Sequence, residues 1–385
     1  MNGLGTTIEN MLNGTGGSGE ETTPPEPTLP SDGSYSEEKG VNTPNLEEGM
    51  TAIKWDEAKN DWIETTGSDQ EWYDYTAKKW ANAKTSDGSM WVWIPRYAYS
   101  ITSGYHSSST GNIDVEFMKG LTNETSTGRT SFDNVSGQGK WNIHPAFNYG
   151  QIVSGLWVAK FEASNSGGKI KIVPGVQSWR DITVNDIYTN CLNYNKTLNS
   201  HMMKNDEWGA VAYLSKSKYG KNAEVDINDD SSYYTGGGSG NAYVNNVGQS
   251  TTGTVHGVYD MSGGAYEYVA AYVNNGNSSL SNGESLVNGD AKTKNVYSKA
   301  STDNATNNYN ANSSKYGDAV YETSTSGSGS TSWYGDYSDF PNAGGPFFQR
   351  GGHYTGGTDE GVFFFYNYYG GTSSYLSFRP VLVAF

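Results

Sequence analysis

Phe347-Phe348-Gln349-Arg350-Gly351-Gly352-His353-Tyr354 opens the C-terminal stretch of the chain, and Ser377-Phe378-Arg379-Pro380-Val381-Leu382-Val383 closes it. Between them lies a run built almost entirely of Gly, Tyr, Ser, Thr and Phe. The ends read as ordinary structure. A Gly pair supplies a backbone position that other residues avoid, and the apolar residues 381–385 supply a final strand to bury. The middle reads differently. Tyr366, Tyr368, Tyr369 and Tyr375, set among Gly and Ser, have the composition of antibody contact loops, where Tyr gives large amphipathic area at low entropic cost. Four aromatics so close together cannot all point inward, because side chains alternate along a strand. The run is therefore read as made for contact with something outside the fold.

Composition sets the limits around this stretch. The 385 residues leave room for two or three domains, or one large domain with extensions. Only 35% of residues are apolar, yet 29 Tyr and 11 Trp accompany 49 Gly, which argues for a loop-rich fold with an aromatic core over a helical bundle. The net charge of −16 is spread without long runs and offers no basic face for phosphates, so nucleic acid is not an expected partner. With a single cysteine, Cys191, there is no internal disulfide and no cysteine metal cage. No apolar stretch is long enough to span a bilayer. No basic start precedes an apolar run, the first Lys being Lys39. If the protein works outside a cell, export by other means, lysis or a leader beyond this sequence is implied.

Along the chain, residues 1–48 read as a tail and a disordered linker. Leu4, Ile8, Met11 and Leu12 stand at helical spacing, as a short docking helix or a frayed end, and Pro24, Pro25, Pro27 and Pro30 then lead into acidic and polar sequence. Such a linker suits attachment to a larger assembly. Residues 49–149 form a small β-rich aromatic region that can also belong to the main domain. Trp55 and Trp62 flank one expected hairpin, and Trp72 and Trp80 another. Trp91-Val-Trp-Ile-Pro-Arg-Tyr-Ala-Tyr99 is a strand broken by Pro95, which suits an edge or bulge, and Leu156-Trp-Val-Ala-Lys-Phe161 is another strand. Thr183-Val-Asn-Asp186 has the form of an N-capping box, with Val184, Ile187, Cys191 and Leu192 on one face of the helix that follows. A second helix, capped by Asn205 and ending at Gly220, would turn Trp208, Val211, Ala212 and Leu214 inward. From about residue 221 short strands alternate with long Asn/Gly/Ser loops.

Four segments in order carry a resemblance. Met202-Met-Lys-Asn-Asp-Glu-Trp208-Gly-Ala-Val-Ala-Tyr-Leu214 resembles the second-helix motif of the formylglycine-generating-enzyme (sulfatase-modifying factor) family. Tyr259-Asp-Met-Ser-Gly263-Gly-Ala-Tyr266-Glu267-Tyr268-Val269 resembles that family's Met-Ser-Gly-Asn-Val-Trp-Glu-Trp signature, with Gly264, Ala265, Tyr266 and Tyr268 substituted. Arg350-Gly-Gly and Ser377-Phe-Arg379 resemble its closing motifs. The resemblance covers residues 150–385. It implies an α+β, C-type-lectin-like fold of the formylglycine-generating-enzyme type, with short strands, two helices and long loops. Trp208, Glu267, Arg350, Gly351, Gly352, Phe378 and Arg379 would be its structural motif residues.

The C-terminal stretch is still more similar to the variable proteins of diversity-generating retroelements. In these, adenine-directed reverse transcription rewrites codons near the C-terminus, and a lectin-like fold displays the varied side chains as a binding face. Adenine-rich Asn codons scatter mainly to Tyr, Ser, Asp, His, Thr and Gly. His353, Tyr354, Thr355, Asp359, Tyr366, Tyr368, Tyr369, Ser373, Ser374 and Tyr375 fit that set, within a face spanning 339–377. Glu360 falls outside it and is read as fixed. The resemblance implies a display protein that binds a protein or glycan receptor on another cell or virion, in a phage tail or at a bacterial surface. Residues 50–99 resemble segments beside such domains in gut-bacterial and phage proteins. A non-variable structural tail or surface component is the alternative, and an oxidase of the formylglycine-generating type a second one.

Enzymatic chemistry finds little support in the residues. The family's redox reaction needs paired cysteines, and Cys191 reads as a core thiol. His106, His144, His201, His256 and His353 show no ligand-type spacing and are read as surface or turn residues. Asp260, Glu267, Arg350 and Arg379 are read as buried pairs that pin loops, and the N-terminal Trp residues as hairpin core rather than a carbohydrate platform. No cofactor is expected. Calcium would have oxygen ligands in Asp336, Asp339 or the loop 226–230, without a known loop spacing.

Overall fold

Trp91-Val92-Trp93-Ile94 is buried at every position, and a strand apolar on both faces must have cover above, below and at both edges. The strand Met90–Pro95 accordingly lies inside a seven-stranded antiparallel sheet, between Gly155–Ala159 and Asn82–Thr85. Pro95 thus does not mark an edge strand. It is the strand's last residue, and the ladder resumes at once with Arg96 N donating to the Ser154 carbonyl at 2.9 Å. The sheet continues through Met50–Asp56 to Asp61–Glu64 on one side and through Pro380–Leu382 to His201–Met202 on the other. The first expected hairpin pairs Trp55 with Trp62, their rings edge-to-face at 5.6 Å. The second is reduced to one bridge between Asp74 and Lys79, with Tyr75 stacked on Trp80 across it at 6.3 Å and both rings, like Trp72, buried in the core.

This computed structural model describes residues 34–385; the expected docking helix of residues 1–12 and the tail through 33 lie outside them. The linker expected to reach residue 48 ends earlier. Tyr35–Ser36 pairs with Val41–Asn42. Val41 is buried, and the Asn42 side chain accepts from Gly120 N and donates to the Ser154 carbonyl, both at 2.8 Å. Trp93 and Trp157 add Nε1 donors to the carbonyls of Asn42 and Asn45, at 3.3 and 2.7 Å, and Leu46 packs on the core, so this polar segment is docked.

Residues 49–149 share the main sheet with the C-terminal strand, so the aromatic region belongs to the same body. Lys160 ties it further. Its fully buried ammonium donates to Asn82 Oδ1 and to the carbonyls of Val255 and Gly257, at 2.6–2.9 Å, and lies 4.9 Å from the Trp62 ring centre. No carboxylate is among these partners; carbonyl dipoles and the ring's negative face work against the burial that pushes this amine's pKa well below the usual lysine range.

The second sheet is mixed and is built on Tyr266–Asn274. That strand pairs antiparallel with Phe347–Arg350 and parallel with both Leu376–Phe378 and Asn295–Ser298. Phe365–Tyr368 lies beyond Phe347–Arg350, followed by Tyr337–Asp339 and Ser328–Ser330. Helix α1 (Val184–Tyr194) begins as expected, with Thr183 Oγ1 accepting from Asp186 N at 3.2 Å, and buries Val184, Ile187 and Cys191; Leu192 is only half-buried. Helix α2 (Asn205–Lys216) is buried along its whole length and stops four residues before Gly220. Its N-cap is Lys204, not Asn205, because the Asn205 side chain is taken by Arg350 and Tyr297. The short helices Glu284–Asn288 and Ala305–Ala311 complete a mixed α+β fold dominated by sheet. Among the described residues no helix is long and apolar enough to cross a membrane.

Candidate ligand-binding face

Alternation along Phe365–Tyr368 sets the site. Phe365 points into the core and is fully buried, with Phe363 packed on Trp333 two residues earlier, at 5.2 Å. Tyr366 and Tyr368 therefore share the opposite face, where pairing places them beside Gln349 and Phe347. Beneath them the backbone is fixed by buried cations. Arg350 donates to Asn205 Oδ1 at 2.7 Å and to the carbonyls of Asp318 and Ala319 at 2.9 and 3.0 Å. Arg379 chelates Glu267, with Nε 2.8 Å from Oε2, and also donates to the carbonyls of Ala159, Tyr259 and Asp260. Trp208 sits between the two guanidiniums and donates through Nε1 to the Val362 carbonyl at 2.9 Å. Phe378 is fully buried.

Gly351 and Gly352 both have positive φ. A Cβ on Gly352 would lie 2.4 Å from that of Glu360, and one on Gly351 3.0 Å from the Trp208 ring. Residues 353–359 then wrap around Glu360, whose carboxylate accepts from His353 N at 2.7 Å and from the Tyr266 hydroxyl at 3.3 Å. Burial, against which these bonds work, raises the Glu360 carboxyl to about 7.

Of the ten candidate contact residues, nine are at least partly exposed and one is not. Thr355, Tyr369, Ser374 and Tyr375 are exposed, and Tyr354, Asp359, Tyr366, Tyr368 and Ser373 half-buried. His353 is the correction. It is 5% exposed, with its ring stacked on Tyr266 and flanked by Tyr354 and Tyr375. Its Nε2 meets the Tyr233 hydroxyl at 2.8 Å and its Nδ1 the Thr355 hydroxyl at 2.9 Å. Burial lowers its pKa to about 4, so the ring is a neutral floor of the surface.

The rings form a connected series. It runs from Tyr337 through Tyr366, Phe364 and Tyr266 to His353, with centroid spacings of 5.3–6.1 Å, and branches there to Tyr354, Tyr375 and Tyr233. Tyr368 and Tyr369 pair at 4.5 Å beside it. The Ser373 side chain interacts with the Tyr368 hydroxyl, which brings this pair next to the loop that carries Ser374 and Tyr375. Arg180 anchors the same loop by donating to the Ser374 carbonyl at 2.6 Å, and its guanidinium stacks 3.9 Å over Tyr233. Asp359 lies within electrostatic reach of the Tyr266 hydroxyl. Arg180, Tyr233, Tyr266, Tyr337 and Phe364 escaped the sequence reading as face residues. Only Tyr266 carried a signal, as a substituted position inside a quoted motif.

Other candidates resolve into structure. Cys191 is fully buried, which pushes its thiol well up. The histidines correct their expected surface placement: His144, His201, His256 and His353 are buried, each used in ring packing or a hydrogen bond such as that of His201 Nε2 to Glu207 at 2.9 Å. Only His106 is half-buried, at positive φ and stacked on Tyr321. The oxygens suggested for calcium do not converge. Asp336 spends both on the N–H groups of Gly361 and Phe363, and Asp226 pairs with Lys221 at 2.6 Å. Among the described residues no group of three or more His, Cys, Asp or Glu side chains could hold a metal ion. No protein family's sequence profile matches this chain, and no curated protein matches it.

Proposed function

We propose that the chain is a ligand-binding display protein, similar to the variable proteins of diversity-generating retroelements, on a C-type-lectin-like fold of the formylglycine-generating-enzyme type. The observation that supports it most is the separation of frame from face. Arg350, Arg379, Trp208, Phe363, Phe365 and Phe378 are buried, with Trp208 packed against both guanidiniums, while the Tyr, Ser and Thr positions between them are exposed or half-buried. A surface can change its side chains without unfolding only if the backbone beneath does not depend on them. In this reading the protein is not an enzyme and needs no cofactor. Its partner is a protein or glycan receptor on another cell or virion, and its setting a phage tail or bacterial surface.

The test compares related copies of the gene. Substitutions concentrated at Tyr354, Thr355, Asp359, Tyr366, Tyr368, Tyr369, Ser373, Ser374 and Tyr375, next to a reverse-transcriptase gene and a near-copy of the coding stretch differing at adenines, are expected. Variation spread evenly over the chain would count against the proposal and favour a fixed structural component.

A further inference from the structure

We propose that Glu360 is a positioning residue of the face: it fixes the course of the contact loop 353–359, so that Tyr354, Thr355 and Asp359 are presented in the same places whatever their side chains. This deepens the reading of the C-terminal surface as a binding face and rests on it. The loop leaves the frame at Gly352 and returns at Glu360, and residues 354–359 are all exposed or half-buried. Glu360 itself is 7% exposed. Its Oε2 accepts from His353 N at 2.7 Å, its Oε1 from the Tyr266 hydroxyl at 3.3 Å, and its carbonyl from Gly263 N at 3.1 Å. One residue thus ties the start of the loop to its end, and both to the strand Tyr266–Asn274 and the turn before it.

None of these partners is a candidate contact side chain. Two are backbone N–H groups, which any residue but proline supplies, and the third is Tyr266, outside the candidate stretch. Two further backbone bonds shape the loop in the same way, from Tyr354 N to the Gly264 carbonyl and from Gly356 N to the His353 carbonyl, both at 3.1 Å. The loop also closes so tightly on Glu360 that side chains are excluded from two positions. A Cβ on Gly352 would lie 2.4 Å from the Glu360 Cβ, and one on Gly356 1.9 Å from the Glu360 Cγ. Gly356 has a φ of −73°, which every residue adopts, so the contact alone demands the glycine there. Glycine belongs to the same residue set as the contact positions, yet position 356 is expected not to vary with them.

The experiment is amide hydrogen exchange on the full chain, read at His353 and, as a core reference, at Tyr268. Glu360→Met keeps the volume and removes both acceptors. It should speed exchange at His353 about tenfold or more and leave Tyr268 unchanged. Glu360→Gln keeps a carbonyl oxygen for His353 N and should stay within about threefold of the parent. Combining Tyr354→Ser with Asp359→Ser should also stay within about threefold, whereas Gly356→Ser should behave as Glu360→Met does. A His353 amide still protected in Glu360→Met, or equal losses in the Met and Gln variants, would overturn the inference. So would a loop freed by the Tyr354 and Asp359 changes, or a Glu360→Met chain that does not fold, which would place Glu360 in the frame as a whole. Gene copies that vary at 354, 355 and 359 should keep Gly352, Gly356 and Glu360, and copies that replace them count against it. Copies without any concentrated variation would instead sink the wider reading and leave the exchange result standing.

Discussion

Phe365 and Tyr366 are adjacent in sequence, and the pleat gives them opposite surroundings. Phe365 is sealed among Tyr309, Phe340 and the core, while Tyr366 leans on Phe364 and Tyr337 and is only half-buried. Changing the second should therefore cost far less than changing the first. Replacing Tyr366, Tyr368, Tyr369 and Tyr375 with Ser is expected to cost under about 1 kcal/mol each. Trp208→Ala or Phe378→Ala should each cost about 3 kcal/mol or more, since both leave cavities in a packed interior. Chemical denaturation of the variants decides this. A quadruple Tyr variant that unfolds would make these rings part of the core. Gly352 gives a sharper contrast. Gly352→Ala must hold a left-handed φ of 73° and push a methyl into Glu360, so it should lose at least about 1–2 kcal/mol although it adds one carbon.

Two elements change sheets in mid-run, and a buried arginine stands at each change. The chain leaves the first sheet after Pro95 and enters a three-stranded one at Tyr97, and Arg96 between them donates to the carbonyls of Gly120 and Thr122 at 3.1 and 2.6 Å. It leaves the second sheet after Phe378 and joins the first at Pro380, with Arg379 between. A strand that switches sheets leaves carbonyls without ladder partners, and a guanidinium with five donors satisfies several at once. Arg379→Met would also strand the Glu267 carboxylate and should cost about 3–5 kcal/mol. A stability loss below about 1 kcal/mol by urea melting would show that the junction does not need it.

These junctions mark how far the elements were legible. The hairpin at Trp55 and Trp62, the strand at Trp91 and the capped start of α1 follow from local pattern and capping chemistry, and all were readable. Long-range partners were not. Asn205 has the right chemistry for a cap, yet Arg350, distant in sequence, claims its side chain. His353 fits a varied surface position by residue type, yet Tyr233 and Tyr266 close over it. The Tyr-rich composition marked out the candidate stretch, while the rings that connect its side chains, Tyr233 in a loop and Tyr337 at the start of a three-residue strand, stand in segments too short to show a periodicity.

At the scale of the whole molecule, the buried acids set how stability should respond to pH. Burial raises Asp336 to about 8, Glu322 to about 7, Glu360 to about 7 and Glu267 to about 6, the last against the pull of Arg379. Each binds a proton in the folded state that the unfolded chain has released, so the folded state loses ground as pH rises from the ordinary carboxylate range through the raised value. The buried histidines work in the opposite sense. His144 and His256 are lowered to about 3 and His353 to about 4, chiefly by burial, so stability is lost as pH falls below about 6.5, where the unfolded imidazoles take protons. Below about 6.5 the two groups oppose each other. Above it the histidines are neutral in both states, and the four raised carboxyls outnumber the buried amine of Lys160, whose pKa burial lowers well below the usual lysine range and which acts in the opposite sense. Between pH 6.5 and 8.5 the melting temperature should therefore fall, by roughly a few degrees. Glu322 isolates one contribution. Its Oε2 accepts from the hydroxyls of Tyr99 and Tyr213 at 2.8 and 2.9 Å and from Gly317 N at 2.6 Å, all of which the amide oxygen of a glutamine can still receive. Glu322→Gln should flatten the decline and make the variant at least as stable as the parent at pH 8.5, with no such gain at pH 5.5. Calorimetry across that range checks both, and an undiminished slope in the variant, or a melting temperature that climbs with pH in the parent, would show that these carboxyls ionise as freely in the folded chain as in the unfolded one.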